Sequence, residues 1–377
     1  MSKGTKDSKM QNAEKKAAQP ESEFALAERL LDWYDANKRD LPWRQDPTPY
    51  HVWLSEIMLQ QTRVGAVRDY YARFLNTLPT IESLAKADED VYLKLWEGLG
   101  YYSRVRNLHK AALQIVEMQD AAMPRTAAEL QKLAGIGPYT AAAIASICFD
   151  ERIPAIDGNL LRVFARMTGY GENIKSTAAK KVATDYYLSI FPQTRCGDMN
   201  QALMDLGATV CLPAGQPLCD TCPWSGHCIA KADGRETELP VIPAKASRTI
   251  EKKTVFLIYY NKHLALRKRP ERGLLAGLYE FPNAEGALSR KEALDYVKTL
   301  GFSAVRIHRL PAAKHIFSHR EWHMIGYQIL ADEWQAFAGG KPKEHELFLA
   351  SSEELQDVFS IPSAFGKYQA EIRRDYL

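Results

Sequence analysis

Four of the six cysteines in this chain lie within a segment of eighteen residues. They are Cys211, Cys219, Cys222 and Cys228, separated by seven, two and five residues. The rest of the chain is poor in cysteine and its start lacks the apolar core of a secretion signal, so we expect a reducing compartment. The pattern therefore predicts a metal centre rather than disulfides. Its spacing alone leaves both a zinc site and an iron–sulfur cluster open.

Length and composition favour two globular domains. A chain of 377 residues is long for a single core, and 46% apolar with 25% charged residues excludes a fibrous or wholly disordered protein. The net charge of +3 tolerates a polyanionic partner without requiring one. No apolar run reaches the roughly 18–20 residues of a membrane span. We therefore expect a cytoplasmic protein, nucleoid-associated if bacterial, with no membrane partner.

The texture of the sequence divides the chain into four parts. Residues 1–22 are polar and predict a disordered tail. Residues 23–232 carry apolar side chains at helical spacing and predict an all-α domain. Residues 233–248 are rich in Gly, Pro and charge and predict an exposed linker. Residues 249–377 contain short β-branched and aromatic runs and predict an α+β domain. Its two expected helices are 289–300 and a segment near 352–358.

A glycine-rich segment, LAGIGPYTAAAI at residues 133–144, predicts a tight hairpin between two helices. Gly135 and Gly137 can adopt positive φ and allow close backbone approach, and Pro138 suits the first turn of the next helix. Free N–H groups at that helix start would bind a phosphate. A plain connection between helices has the same composition, so the hairpin alone does not decide its role.

Asp157 follows the hairpin, just before another predicted helix. An aspartate there is suited to be a helix N-cap. The hairpin followed by this aspartate resembles the layout of the helix-hairpin-helix DNA glycosylases. The resemblance implies that Asp157 lies in an active-site cleft, and the N-cap role is compatible with that position.

The segment SEIMLQQTRV at residues 55–64 lies on a predicted helix. A helical glutamate is most often solvated, and Glu56 taken alone would be assigned that way. The segment nevertheless resembles the signature of the MutY-type adenine DNA glycosylases. The resemblance implies that Glu56 is catalytic. It also implies that Gln60 and Gln61 help to open the base stack and fill the space that the adenine leaves.

The reaction of that family explains the need for two carboxyl groups. By analogy with glycoside hydrolysis, Glu56 in an apolar pocket would have a raised pKa and protonate adenine, while ionised Asp157 would stabilise the positively charged sugar. Tyr139 occupies the position where endonuclease III-like relatives carry a Schiff-base lysine, so we expect little or no strand cleavage. Tyr139 would assist at the sugar or at the nearby carboxylate, although a packing role fits equally.

Two further segments match the family. The run GLGYYSRVRN at 98–107 resembles a loop that wedges into the duplex at the orphaned 8-oxoguanine, and the resemblance assigns the wedge to Tyr101. The same residues also fit a core cluster with surface charge. The run RDLPWR at 39–44 resembles a segment that lines the adenine pocket. There Arg44 would pair with Glu56 or contact the base, or be a buried structural arginine.

The cysteine cluster fits the same family. Its spacing of seven, two and five compares with the six, two and five typical of the family's [4Fe–4S] site, and the flexible loop 212–218 would absorb the extra residue. The resemblance therefore implies a [4Fe–4S] cluster held by all four cysteines, with a structural role. Cys148 and Cys196 lie outside the cluster, and we expect inert thiols.

The C-terminal part resembles the Nudix fold. The segment GLLAGLYEFP at 273–282 matches the start of the Nudix signature, but Lys298 and Thr299 stand where its metal-binding glutamates belong, so we expect no Mg²⁺-dependent hydrolysis. The family resemblance implies that Phe317, Ser318 and His319 form a loop that recognises 8-oxoguanine. The two polar side chains would read the oxidised base while Phe317 packs beneath them.

The sequence thus predicts a multi-domain base-excision repair enzyme that removes adenine opposite 8-oxoguanine or guanine. We expect a monomer on double-stranded DNA and leave open a sliding clamp or mismatch-repair protein as a partner. Three alternatives compete with this interpretation: an endonuclease III-like glycosylase, which Tyr139 argues against; a Nudix nucleotide hydrolase, which Lys298 argues against; and a non-enzymatic mismatch-binding protein, which Glu56 and Asp157 argue against.

Overall fold

A computed structural model describes residues 23–118, 121–244, 247–335 and 346–372. The predicted disordered tail, 1–22, lies outside the described residues. The helices are α1 (Glu23–Asn37), α2 (Pro42–Gln45), α3 (Pro49–Leu59), α4 (Val64–Thr77), α5 (Ile81–Ala85), α6 (Glu89–Leu95), α7 (Ser103–Val116), α8 (Ala127–Leu130), α9 (Pro138–Phe149), α10 (Gly158–Thr168), α11 (Thr177–Ile190), α12 (Cys196–Thr209), α13 (Ile229–Ala232), α14 (Arg290–Thr299), α15 (Ser352–Asp357) and α16 (Gly366–Gln369). The strands are β1 (Thr249–Tyr260), β2 (His263–Lys268), β3 (Tyr279–Glu280), β4 (Asn283–Glu285), β5 (Phe302–Ile316), β6 (Arg320–Trp334) and β7 (Leu347–Ala350).

The order of these elements confirms the predicted fold class, because the described chain is helical up to Ala232 and sheet-forming from Thr249. The compact units of the structure do not coincide with the helical and sheet-forming parts of the sequence. The first unit combines residues 23–39 with Asp150–Ile242, and the second combines Asp40–Phe149 with Pro243–Leu377. No helix among the described residues is long and apolar enough to cross a membrane.

The first unit is built on a helical core. Helix α10 packs against α11, α12 and α13, and α1 packs against α12. Apolar residues of α10 recur at helical spacing, and Leu160 and Phe164 are fully buried with Leu203 of α12 and Trp224. Three of the four clustered cysteines, Cys211, Cys222 and Cys228, pack against this core. The cysteine segment is therefore attached to the best-buried part of the unit.

The helical part of the second unit is organised around α3 and α9. Helix α3 is buried along nearly its whole length, from Tyr50 to Met58. It packs on α9, whose small residues Ala141, Ala142, Ala143 and Ala145 are also buried and permit a close approach. Such all-round burial is typical of a central helix and is unfavourable for a charged side chain. A carboxyl group on α3 therefore needs a partner inside the protein.

The strands of the second unit form one mixed sheet in the order β3-β2-β1-β6-β5, with β4 paired to β1 and β7 to β2. The central strands β1 and β6 are parallel and the other pairs are antiparallel. Alternate residues of β1 enter different cores: Val255 and Leu257 pack with Phe365 and Tyr368, whereas Phe256 packs with α14. Both faces of the sheet are therefore covered.

The predicted linker is not exposed throughout. Leu239 is only 2% exposed, and its carbonyl accepts a hydrogen bond from Nε of Arg166 at 2.9 Å. The N–H of Ile174 donates to the carbonyl of Val241 at 3.1 Å. The prediction of an exposed path is therefore wrong at Leu239, because composition does not reveal that Arg166 holds this backbone against the first unit.

Candidate functional site

Glu56 lies in the buried stretch of α3 and is only 6% exposed. A solvated helix position is thus excluded for this side chain. The phenol of Tyr139, the second residue of α9, donates a hydrogen bond of 2.7 Å to Oε2 of Glu56. The packing of α3 on α9 therefore joins two of the three predicted catalytic residues.

The two glutamines after α3 face different environments. Gln60 is partly buried, and its side-chain amide donates to Oγ1 of Thr140 at 3.3 Å. Gln61 is exposed and has a φ of +58°, a backbone conformation that residues other than glycine seldom adopt. Gln61 therefore projects from a strained turn, while Gln60 braces that turn against α9.

The hairpin before α9 uses its glycines differently from the prediction. Gly135 has a φ of +73°, and a Cβ there would lie 2.5 Å from Cβ of Asn107, so both the conformation and the close approach require glycine. Gly137 does not have a positive φ, and a Cβ added to it would meet no heavy atom within 4 Å. The predicted conformational role of Gly137 is wrong, and its surroundings leave open space beside the start of α9.

Asp157, in the first unit, is the N-cap of α10. Its carboxylate accepts hydrogen bonds from the N–H of Leu160 at 2.8 Å and from Nδ2 of Asn159 at 2.9 Å. Burial raises the pKa of Asp157, while these hydrogen bonds and the charge of Arg162 act in the opposite direction. The predicted N-cap role is confirmed, and the carboxylate is well oriented but poorly solvated.

Tyr101 lies in a loop of positive-φ residues between α6 and α7. Gly98 and Gly100 have φ of +100° and +71°, and Tyr101 itself has a φ of +49°. The Tyr101 ring is 46% exposed. The nearby Arg104 is 9% exposed and lies 5.6 Å from the centre of that ring. The interpretation of this arginine as surface charge is therefore wrong, because its side chain is buried.

Phe317, Ser318 and His319 form the turn that joins β5 to β6. The ring of Phe317 packs edge-on against buried Trp322 at 4.9 Å between ring centres, while Ser318 and His319 are exposed. The N–H of Phe317 donates to the carbonyl of Arg320, which closes the turn. This arrangement matches the expectation that Phe317 supports two polar side chains.

The turn and the Tyr101 loop meet in one cleft of the second unit. The cleft has a volume of about 840 Å³ and is lined by segments 98–103, 273–276, 315–320 and 362–364, together with Arg106, Asn107 and Glu271. The hydroxyl groups of Tyr101 and Ser318 are 3.4 Å apart at its wall. Two motifs more than two hundred residues apart in sequence are thus brought into direct contact.

Arg44 is half-buried in the short helix α2, next to buried Trp43. Trp43 packs edge-on against Tyr71 at 5.5 Å between ring centres. Arg44 therefore lies on a packed element of the second unit, and its three predicted roles, in pairing with Glu56, in base binding and in structure, stay predictions.

The four clustered cysteines line one small cavity of the first unit, together with Trp224, Met167 and Pro217. The guanidinium of Arg166 donates to Sγ of Cys211 at 3.2 Å, and the thiol of Cys228 donates to the carbonyl of Arg166 at 3.3 Å. The extra residue in the first interval lies in a closed loop, because the carbonyl of Val210 accepts from the N–H groups of both Leu212 and Leu218.

The donor set of this cavity fits a multinuclear group. Four thiols converge on one cavity beside the buried cation Arg166, which suits a negatively charged thiolate cluster. The convergence of four thiols on one cavity is therefore compatible with an iron–sulfur cluster.

Glu280, in the segment that resembles the start of the Nudix signature, forms ion pairs within the domain. Glu280 is 2% exposed and forms ion pairs with Arg267, at 2.7 Å from Nε, and with Arg269. Helix α14 ends in Lys298 and Thr299 where metal-binding glutamates were expected. The buried Glu280 carboxylate is thus neutralised by two arginines, and the absence of Mg²⁺-dependent hydrolysis stays a prediction.

The two cysteines outside the cluster, Cys148 and Cys196, have raised thiol pKa values. Burial raises the pKa of Cys148 to about 12 and that of Cys196 to about 11. At neutral pH both groups are therefore almost wholly protonated and poorly nucleophilic.

Comparisons with known proteins match both halves of the chain. Residues 54–186 match the model of the HhH-GPD superfamily of base excision DNA repair proteins, and residues 254–371 match the NUDIX domain model. The first match includes Glu56, Tyr139 and Asp157, and the second includes the turn 317–319.

Similar proteins extend these matches to most of the chain. The adenine DNA glycosylase of Mus musculus is 35% identical over 369 residues, covering 82% of this chain and 71% of the relative. That of Buchnera aphidicola subsp. Schizaphis graminum is 33% identical over 324 residues, covering 84% and 91%. Among solved structures, a thermostable thymine-DNA glycosylase aligns with a TM-score of 0.51 and 26% identity, covering 56% of this chain and 97% of that chain.

Proposed function

Because this chain belongs to the adenine DNA glycosylase family and is a base-excision DNA glycosylase, we propose that it removes adenine mispaired with 8-oxoguanine or guanine by hydrolysis of the N-glycosidic bond. The observation that carries this proposal is the buried Glu56 carboxyl group held by the Tyr139 phenol at 2.7 Å. A base must leave the DNA stack before a buried acid can reach it, so base flipping is part of the proposal.

Glu56 acts as the general acid. Adenine is a poor leaving group until its ring nitrogen N7 is protonated, and a buried carboxyl group can act as the acid that delivers this proton. Tyr139 orients that carboxyl group through its hydrogen bond. A tyrosine at this position offers no amine for a Schiff base, which supports a monofunctional enzyme with little or no lyase activity.

Asp157 acts as the anion that stabilises the positively charged sugar. The N–H of Leu160, the amide of Asn159 and the positive end of α10 all favour its ionised form. This assignment follows glycoside hydrolysis, in which one carboxyl group gives a proton while the second stays charged. Water then attacks the sugar and completes the substitution.

The opposite base is read in the cleft between the Tyr101 loop and the turn 317–319. Tyr101 is exposed and can stack, whereas Ser318 and His319 supply hydrogen-bonding groups beside it. Both features suit a base that has lost its partner. The mildly positive chain binds double-stranded DNA as a monomer, and phosphate contacts make the affinity salt-dependent.

The four clustered cysteines hold a [4Fe–4S] cluster. When bound, the cluster supplies a rigid crosslink, and Arg166 hydrogen-bonds one of its thiolate ligands. Cys211, Cys219, Cys222 and Cys228 are the ligands. Their role is to fix the path of the segment 211–228 on the core of the first unit.

The proposal is tested by single-turnover release of free adenine from a duplex with one adenine opposite 8-oxoguanine. Glu56→Gln preserves the size of the side chain but removes the acid, so we expect release to slow by at least about 100-fold, with duplex affinity retained. Glu82→Gln, at an exposed position of α5, is the control and should match the parent chain. Full activity of Glu56→Gln would remove Glu56 from the mechanism, and no release by the parent chain would reject the function.

A further inference from the structure

Arg104, on the first turn of α7, is a buried guanidinium whose described hydrogen-bond partners are all uncharged. Its Nη1 donates to the carbonyls of Ile57, Met58 and Gln60 at 2.8, 2.9 and 2.6 Å. Its Nη2 donates to the carbonyls of Leu99 and Gly100 at 3.2 and 3.1 Å and to Oγ1 of Thr62 at 3.3 Å. One side chain thus joins the end of α3 to the loop before α7.

These contacts include the peptide bonds that precede two strained residues. Gln61 and Tyr101 are non-glycine residues with positive φ, at +58° and +49°. Arg104 holds the carbonyl of Gln60, directly before Gln61, and the carbonyl of Gly100, directly before Tyr101. Such backbone conformations are unfavourable and persist only where surrounding contacts fix them. The guanidinium therefore supplies a fixing contact to both strained positions at once.

We propose that Arg104 is a positioning residue that sets the placement of Gln61 and Tyr101 relative to each other and thereby controls base extrusion. This inference rests on the proposed function, in which Tyr101 stacks beside the opposite base, and on the expectation that Gln61 helps to open the base stack. Arg104 does not touch DNA or the reacting bond in this role. Its buried position beside Trp96, with 5.3 Å from guanidinium carbon to ring centre, keeps water from competing for the carbonyls.

Arginine is the side chain suited to this position. Its planar fork carries five N–H donors and can reach two backbone segments in fixed directions, whereas the ammonium group of lysine is a compact point charge. Arg104→Lys keeps the charge but cannot maintain both sets of hydrogen bonds. The substitution should therefore loosen one strained turn relative to the other.

The test separates extrusion from bond cleavage. One substrate carries adenine opposite 8-oxoguanine with paired flanks, and the other carries the same pair inside a bubble of mismatched flanks. We expect Arg104→Lys to slow adenine release about tenfold or more on the paired duplex and far less on the bubble. Arg73→Lys is the matched control, because Arg73 is exposed and donates to the Leu95 carbonyl. Equal losses on both substrates, or no loss, would overturn the proposal.

A second measurement does not depend on excision. In the Glu56→Gln background, 2-aminopurine in place of the adenine reports unstacking by its fluorescence. We expect Arg104→Lys to lower the rate of the fluorescence rise, and an unchanged rate would overturn the proposal even if the parent chain released no adenine.

A second variant serves if Arg104→Lys does not fold. Thr62→Val removes one hydrogen-bond acceptor of Arg104 and should give a smaller effect in the same direction. Thr77→Val on α4 is its control. No difference between those two variants would equally overturn it.

Discussion

The phenol of Tyr139 and the carboxyl group of Glu56 are joined by a hydrogen bond of 2.7 Å between two packed helices. The bond restricts the orientation of the carboxyl group. Since general acid catalysis depends on the distance and direction of proton transfer, the phenol is expected to affect the rate of adenine release more than duplex affinity.

Tyr139→Phe should therefore slow single-turnover adenine release by about 10–100-fold, while the dissociation constant for the mismatched duplex stays nearly unchanged. Tyr50→Phe is the control, because the buried Tyr50 on α3 donates to the Leu78 carbonyl instead of to a carboxyl group. It should lower the free energy of unfolding by about 1 kcal/mol and leave release unaffected. Identical losses in the two variants would assign Tyr139 to packing alone.

Asp157→Asn should separate catalysis from stability. Asparagine is also a good N-cap, so the hydrogen bond from Leu160 can be kept while the buried charge is removed. Burial raises the pKa of Asp157, which means that ionisation at neutral pH costs folding free energy. We expect the variant to be at least as stable as the parent chain at pH 7.5. Its rate of adenine release should be lower by about 100-fold or more.

The sign of the pH effect provides the check on that interpretation. A carboxyl group with a raised folded-state pKa binds protons more tightly in the folded protein, so acid stabilises the fold relative to the neutral variant. Lowering the pH from 7.5 toward 5 should therefore reduce any stability advantage of Asp157→Asn, measured as the difference in melting temperature. An advantage that grows with acid would contradict the raised pKa.

The sequence predicts the identity of the candidate catalytic residues better than it predicts their contacts. Glu56, Tyr139 and Asp157 stand in motifs whose spacing is local, and the N-cap at Asp157 follows from a single turn of helix. The hydrogen bonds of Arg104 cannot be predicted from the sequence, because most of their acceptors are backbone carbonyls in two segments that lie far apart in the chain. Gln61 and Tyr101, both with positive φ, are linked by the hydrogen bonds of Arg104 to the carbonyls that precede them, which only the structure reveals.

The same limit applies to the fold. Short β-branched and aromatic runs predict strands at β1 and β6, but not that these strands pair in parallel at the centre of the sheet, since strand pairing depends on long-range contacts. Gly135 and Gly137 stand in the same motif and cannot be distinguished from the sequence. In the structure, only a Cβ added at Gly135 would lie close to a neighbouring side chain. The composition around Leu239 predicts an exposed linker because it cannot show that Arg166 binds the carbonyl of Leu239.

Ser318→Ala should lower the preference for 8-oxoguanine over guanine. Its hydroxyl lies 3.4 Å from that of Tyr101 at the wall of the cleft, so its loss removes a polar group without altering the turn. We expect the ratio of release rates from adenine:8-oxoguanine and adenine:guanine duplexes to fall about tenfold. His319→Ala should act in the same direction. Ser303→Ala, at the far end of β5, is the control, and a parallel fall on both duplexes would refute the role in recognition.

The cysteine cluster gives the sharpest chemical prediction. Purified protein should contain about four iron and four sulfide per chain, with visible absorption, whereas about one zinc per chain and no colour would establish the alternative. Cys222→Ser should lose the metal and lower the melting temperature, because Cys222 packs on the core of the first unit. Cys148→Ser should retain the metal, since Cys148 lies on α9 outside the cavity.

Removal of the cluster should also change hydrogen exchange. Because Arg166 donates hydrogen bonds both to Cys211 and to the carbonyl of Leu239, residues 239–241 should lose protection before α3 and α9 are affected. Uniform loss of protection throughout the chain would show instead that the cluster supports the whole fold.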